Sequence, residues 1–444
     1  MRPLKPCREI RRLLPMRSMT STVLSQWLTR LESIHPREIE LGLDRSASVA
    51  NNLNLLPLPC EVITVAGTNG KGSTVAVLEA LLIETKVSCG ACTSPHFERF
   101  NERIRIDGFE VGDEEIVAAF EDIEAARGDI SLTYFEFSTL AALLIFRQRK
   151  VEVALLEVGL GGRLDAVNIV DANAAIITSI DLDHQDWLGD TRELIALEKA
   201  GVLRRDKPAV IADTNPPKTL VQYMEELGCQ SLFIGKDYQV KTERENWTAL
   251  LQNRDGTSCA IKELAYSGIV EANIAAATQT LLLLGKEFSE QQLHQALRNV
   301  RLRGRRETAS INGYNYLLDV AHNPASITKL LEYINATPCN GKDIALFSAM
   351  EDKDIEGMMS ACKGTFDAWF IADQPRNSRA EEGASIAKAL RQQGQSMISI
   401  SKNITQAFRR AQGVMTNDDR LVVFGSFYTV AGVMPLLEKE RNKR

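Results

Sequence analysis

The chain has little of what would place it outside the cell, in a membrane or on nucleic acid. Its 444 residues contain no run of about 18 apolar residues, so no helix is expected to span a membrane. Positive charge is in deficit: 52 Lys and Arg against 58 Asp and Glu give a net charge of −6, with no basic footprint for nucleic acid. The eight cysteines, at 7, 60, 89, 92, 229, 259, 339 and 362, are too scattered in so long a chain to form a disulfide framework. They fit a reducing compartment, and a cytoplasmic location is expected. Cys89 and Cys92 make a single C-x-x-C with no second pair to complete a zinc site. Chance spacing on a buried segment is preferred there to a redox dithiol. The first 19 residues carry Arg2, Lys5, Arg8, Arg11, Arg12 and Arg17, but no apolar segment follows to make them a secretory signal. With Met16 and Met19 just ahead of an amphipathic stretch, residues 1–19 read as a disordered tail or an over-long start.

What remains is ordinary globular composition, 44% hydrophobic and 25% charged, at a length that suits two domains. Val23, Leu24, Trp27, Leu28 and Leu31 recur at helical spacing. Beyond them, strand-like runs alternate with helical ones: EVITVAG (61–67), VSCGACTSPH (87–96), VEVALLEVG (151–159), AAIITSI (174–180) and PAVIAD (208–213). Each is apolar almost throughout, the mark of a parallel sheet covered on both faces. RLRGRRE (301–307) is polar and basic and makes the best boundary. After it YNYLLDVAHNP, DIALFSAM, DAWFIAD and RLVVFGS resume the alternation. The expected fold is α/β: a parallel-sheet domain at 20–300 that carries a P-loop, a linker at 301–308, and a smaller Rossmann-like domain at 309–444.

The sharpest motif is VITVAGTNGKGST (62–74), in which a strand, a glycine-rich turn and a helix follow one another. Backbone N–H groups of such a turn and the positive end of the helix surround phosphate oxygens. Gly67, Thr68, Asn69, Gly70, Lys71, Gly72, Ser73 and Thr74 therefore form the candidate ATP loop, with Lys71 reaching the terminal phosphates. Gly72 separates Lys71 from Ser73, so the usual G-x-x-x-x-G-K-[ST] is missed by one residue. In TSPHFERFNERIRIDG (93–108), Ser94 can offer a hydroxyl to a metal, and Arg99, Arg103 and Arg105 can balance anionic charge. Glu157 stands near the carboxyl end of a buried strand, where ligands sit in open parallel sheets and where an acid needs a cation. His184, among Asp181, Asp183 and Asp186 at another strand end, is a metal or acid–base candidate. Asp319 and His322, in LLDVAHNP, could grip a nucleotide from the second unit, which puts the site in a cleft between the two. Lys199, in the helical stretch ALEKAGVL, reads as a solvated lysine. GLGG (159–162) reads as a loop that lets backbone approach a substrate, since no helix with a dinucleotide-type glycine pattern follows.

With GTNGKGS, TSPH, LTYFEF, GLGGRLDAVN, DLDHQDWLG, EKAG and DVAHNP in this order, the chain resembles the bacterial dihydrofolate synthase/folylpolyglutamate synthase family, relatives of the muramyl ligases. The resemblance runs from about Trp27 to VFGSFYTVAGVM. It implies an ATP- and Mg²⁺-dependent ligase, monomeric, that adds L-glutamate to dihydropteroate or a reduced folate through an acyl phosphate. It also implies Mg²⁺ ligation by Ser94, Glu157 and His184, and ATP contacts from Asn273, Arg305, Asp319 and His322. Pterin-loop contacts follow at Thr133, Tyr134, Phe135, Glu136, Leu164, Asp165 and Ala166, and a carbamylated Lys199 acts with Lys71 and His184 in catalysis. Arg306 and Glu307 depart from the aromatic residue and glutamine usual in the linker. The alternatives are a muramyl-peptide-type ligase, disfavoured by LTYFEF, and a regulatory P-loop ATPase, which leaves DVAHNP without a purpose. A nicotinamide dehydrogenase fails for want of the glycine fingerprint.

Overall fold

Residues 22–35, 39–266, 268–300 and 302–442 are described by the computed structural model; the tail at 1–19 lies outside them. Short unbroken apolar runs become the strands β1 (Glu61–Ala66), β2 (Cys89–Cys92), β3 (Ile104–Ile106), β4 (Phe109–Glu110), β5 (Val153–Glu157), β6 (Ala174–Ile177), β7 (Pro208–Ile211) and β8 (Gln230–Phe233). They form one sheet in the order β4-β3-β2-β5-β1-β6-β7-β8. From β2 to β8 the pairs are parallel, while β3 and β4 turn back antiparallel at one edge. Helices Lys71–Glu84, Glu271–Leu283 and Glu290–Asn299 pack on one face, and Val23–Ile34, Asp113–Arg127 and Tyr134–Arg149 on the other. Cys89 and Cys92 are buried in the two opposite cores, so their thiols cannot meet as a dithiol.

A small antiparallel sheet follows, β9 (Gln239–Thr242), β10 (Asn246–Gln252) and β11 (Ser258–Ala265), in the order β11-β10-β9. It is absent from the expectation above, which looked for unbroken apolar runs. In β10 buried Trp247, Ala249 and Leu251 alternate with partly exposed residues, because only one face packs on helix Glu271–Leu283.

The second unit holds β12 (Glu307–Ile311), β13 (Tyr314–Leu318), β14 (Asp343–Phe347), β15 (Ala368–Ala372), β16 (Ile398–Ser401) and β17 (Arg420–Phe424). Their order is β12-β13-β17-β14-β15-β16, parallel except for the β12–β13 hairpin. Helices cover both faces of this sheet too. At its base, buried Arg420 donates from Nε and Nη2 to the two carboxylate oxygens of Asp343, at 2.7 and 3.0 Å. Asp343→Ala would strand that guanidinium with only carbonyl and hydroxyl partners at Ile334 and Thr337. It is expected to destabilise the second unit by about 3–5 kcal/mol, read as a lowered urea midpoint.

Candidate active site

Both parallel sheets point the carboxyl ends of their strands at one cleft of about 890 Å³. β1 ends at Ala66, and the chain turns through Gly67 (φ +146°) and Gly70 (φ +92°) into helix Lys71–Glu84. A Cβ at Gly67 would collide with the Thr178 hydroxyl, and one at Gly70 with the Asn273 amide. The loop is therefore wedged between the end of β6 and helix Glu271–Leu283, which sets Asn273 against it. Lys71 Nζ lies back on the carbonyls of Gly67 and Thr68, at 3.0 and 3.2 Å. Burial lowers its pKa, opposed by the charges of Glu157 and Asp183. Thr68 Oγ1 pairs with the Asp181 backbone, and the Asn69 amide exchanges hydrogen bonds with Asn323 of the second unit at 3.1 and 3.3 Å. Ser73 lines the cleft, whereas the Thr74 hydroxyl donates back to Gly70 O within its own helix.

At the end of β5 the Glu157 carboxylate is buried and accepts one hydrogen bond, from Ser94 N–H at 3.1 Å. Burial pushes its pKa up, opposed by Lys71, that N–H, Arg305 and Arg105. A Cβ at Gly72 would stand 3.5 Å from both carboxylate oxygens, so glycine keeps the space in front of them open. His184 takes a left-handed φ of 50° after β6 and turns toward the second unit. There Nε2 is 3.4 Å from Lys353 Nζ and Nδ1 is 3.7 Å from Asp352. Burial, against the pull of Asp183, pushes its pKa down to about 4, so the ring is neutral at pH 7. Ser94 and Glu157 are thus side by side, while His184 is engaged across the cleft. Among the described residues no three His, Cys, Asp or Glu side chains converge as a cage.

Lys199 overturns the expectation of a solvated lysine. It is 3% exposed, because helix Arg192–Ala200 buries Ile195, Ala196, Lys199 and Ala200 and turns Leu194 and Leu197 outward. Burial and the nearby Lys71 charge bring its pKa down to about 7, against Asp183 and Asp181. Its Nζ makes no hydrogen bond among the described residues.

From the second unit, Asp319 accepts the N–H groups of Ala321 and Arg306, each at 2.8 Å. Arg305 lies 4.9 Å over the Phe427 ring with a buried Nη1 that has no hydrogen-bond partner among the described residues. His322 reaches Asp183 at 3.3 Å. The unusual Arg306–Glu307 pair fastens the turn before β12. Glu307 accepts Gly304 N–H at 2.7 Å, and the Arg306 guanidinium lies 5.4 Å over Tyr333.

Lys353 went unnoticed in the sequence. Its Nζ is 2.6 Å from Asp183 Oδ1, and both side chains are over nine-tenths buried. The signal was the charged run EDKD just past the β14 end, which reads like any solvated loop. The seven pterin-loop residues do not line this cleft. Thr133 and Glu136 form a capping box on helix Tyr134–Arg149, and Asp165 accepts Leu160 and Val167 N–H groups at 2.8 and 3.0 Å. Phe135 lies where a Cβ at Gly159 would be, so GLGG is glycine-rich in part to admit its own neighbours. Tyr134 and Leu164 are half-buried and Ala166 is buried.

The middle domain of Mur ligases matches residues 65–280, and the Mur ligase glutamate ligase domain matches 304–427. The dihydrofolate synthase/folylpolyglutamate synthase of Escherichia coli K12 is 39% identical over 421 residues, 94% of this chain and 96% of that one. The chain belongs to the dihydrofolate synthase/folylpolyglutamate synthase family. A solved structure of E. coli FolC in complex with DHPP and ADP superposes with a TM-score of 0.89 at 37% identity, covering 95% of this chain and 99% of that one. A bifunctional folylpolyglutamate synthase/dihydrofolate synthase with Mn, AMPPNP and L-glutamate bound gives 0.86 at 38%, covering 94% and 98%. Like the rest of its family, the protein is an ATP-dependent amide ligase that works with a divalent metal. The muramyl-ligase, regulatory-ATPase and dehydrogenase alternatives fall away. Among the described residues no helix is long and apolar enough to cross a membrane.

Proposed function

We propose that the cleft adds L-glutamate to dihydropteroate and to reduced folates, with the residue roles that follow. The observation that carries this is one cleft lined by the Lys71 loop, Ser94, Glu157 and Lys199 from the first unit, by Arg305 from the linker, and by Asp319 and His322 from the second unit. An acceptor carboxylate oxygen attacks the γ-phosphorus of ATP, and the bond to ADP breaks. The glutamate amine then forms the C–N bond as phosphate leaves and a proton is released. Lys71, freed from its two carbonyls, and the N–H groups of its loop hold the transferred phosphoryl group. Gly67 to Thr74, Asn273, Arg305, Asp319 and His322 bind ATP. The partnerless Arg305 Nη1 fits an anionic or carbonyl acceptor that the ligand supplies.

Magnesium fits Ser94 and Glu157: the Ser94 hydroxyl makes no hydrogen bond among the described residues, and the carboxylate is buried beside an open space. His184 is neutral and so able to ligate. When bound, the metal neutralises charge on the phosphates. Thr133, Tyr134, Phe135, Glu136, Leu164, Asp165 and Ala166 receive or support the pterin. The chain divides as 20–300, linker 301–308 and 309–444, and works as a cytoplasmic monomer.

A neutral Lys199 amine can add CO₂ to form a carbamate, turning an isolated buried cation into a metal ligand. Because its pKa falls near 7, the reactive fraction rises as pH rises through that value. Intact-protein mass spectrometry under bicarbonate is expected to show the mass of one CO₂, absent in Lys199→Ala, which loses at least about tenfold in rate. An unmodified, fully active Lys199 would refute this role. For the function as a whole, phosphate release is expected only with dihydropteroate or a reduced folate present together with glutamate. Release that ignores both omissions counts against it.

A further inference from the structure

Arg103, beside the cleft, makes no ion pair among the described residues, and the Glu157 charge reaches it only from a distance. Nearby, Arg105 of β3 is paired with Glu79, at 2.8 Å, Arg99 in the loop after β2 with Asp113, at 3.3 Å, and the linker's Arg303 with Glu98, at 3.0 Å. Glu102 turns its carboxylate onto the N–H groups of Phe97, Glu98 and Arg99. Arg103 has no carboxylate within ion-pair distance among the described residues. Its guanidinium lies 5.4 Å from the Tyr134 ring and 5.8 Å from the Phe100 ring. Its Nε donates to His96 Nδ1 at 2.8 Å. That hydrogen bond lets the imidazole aim the guanidinium. Nη1 and Nη2 make no hydrogen bond among the described residues. Two rings and a histidine therefore hold a two-donor fork with its outer edge free, the shape that takes a carboxylate bidentately.

The two acceptors differ in the group such a fork would hold. Dihydropteroate has one carboxylate, and the reaction consumes it. A folate ending in glutamate has two; one is activated and the other is carried through unreacted. Tyr134 belongs to the proposed pterin contacts, while Tyr428 and Glu157, whose charges act on Arg103, line the nucleotide cleft. The fork thus lies between the two ends that an acceptor must bridge. We infer that Arg103 binds the unreacted carboxylate of glutamate-bearing folate acceptors, and so serves chain extension but not the dihydropteroate reaction. This rests on the proposed function.

The test compares kcat/KM of the full-length enzyme and its Arg103→Gln variant on dihydropteroate and on tetrahydrofolate monoglutamate, with ATP, Mg²⁺ and L-glutamate saturating. The variant is expected to lose about thirtyfold or more on the folate, through KM, and to stay within about threefold on dihydropteroate. Equal losses on both would overturn the inference, because they would place Arg103 at the incoming glutamate or in the scaffold; no loss on either would also overturn it. A second arm does not depend on the variant folding. On the unmodified enzyme, an acceptor with γ-aminobutyrate in place of the terminal glutamate keeps the reacting carboxylate and lacks the other. Its KM is expected to rise about thirtyfold, and an unchanged KM would overturn the inference. Unmodified enzyme that ligates glutamate to neither acceptor would sink the proposed function itself, which the other outcomes leave standing.

Discussion

Lys71→Met is expected to slow glutamate addition to both acceptors by about 10³-fold while leaving the fold intact. Phosphoryl transfer gains mainly from charge held where the γ-phosphate oxygens gather, and Lys71 is the one cation in the loop itself. Its amine now rests on the carbonyls of Gly67 and Thr68, which water can replace without cost to the core. Steady-state rates on each acceptor, beside a urea titration, separate the two effects. A variant within tenfold of the parent would remove Lys71 from the chemistry. A lowered urea midpoint would instead mean that the lysine holds the loop together.

Asp183→Ala should have the second large effect, on how the units meet. Burial raises the Asp183 pKa, but the His322 hydrogen bond and the charges of His322, Lys353 and His184 outweigh it, holding the carboxyl well below its usual range. A carboxylate of depressed pKa lends stability above its unfolded value, near 4, and withdraws it as pH falls toward the folded value. The contact between the units should therefore persist through neutral pH and weaken only in strong acid. Removing Asp183 leaves Lys353 buried with only Asp352, at 3.3 Å, and His184 for company. The expected cost is about 3–5 kcal/mol to the closed arrangement. Small-angle scattering should show a larger radius of gyration for the variant with ATP bound, and ligation should slow with both acceptors. Unchanged dimensions and rate would mean that Asp183 and Lys353 merely coincide.

Much of this architecture was legible because a buried parallel strand must be apolar along its length. That signal located β1, β5, β6, β7 and most strands of the second unit. Any polar residue just past such a run then sits at the carboxyl edge, which is how Glu157, His184, Asp319 and His322 stood out before any coordinates. The same logic misses elements with one wet face, and the small β9–β11 sheet is invisible to it. It also misreads helix Arg192–Ala200. There Lys199 reads as solvated, yet Leu194 and Leu197 are exposed and Lys199 is inside. A lysine goes in only where something repays its desolvation, and in one dimension that something is unseen. Lys353 was hidden for a related reason: its partner Asp183 is 170 residues away in sequence. Arg103 was noted only as one of three arginines. What distinguishes it, the lack of an ion-paired carboxylate among the described residues, is a property of its neighbours in space.

The central claim is that ATP activates the acceptor's carboxylate, not that ATP is merely hydrolysed nearby. The direct measurement uses dihydropteroate whose carboxylate carries oxygen-18, with ATP, Mg²⁺ and L-glutamate, followed by mass analysis of the released phosphate. If an acyl phosphate forms, an acceptor oxygen leaves with the phosphorus, so the phosphate carries the label in step with amide formation. Unlabelled phosphate, released while the amide forms, would contradict the account.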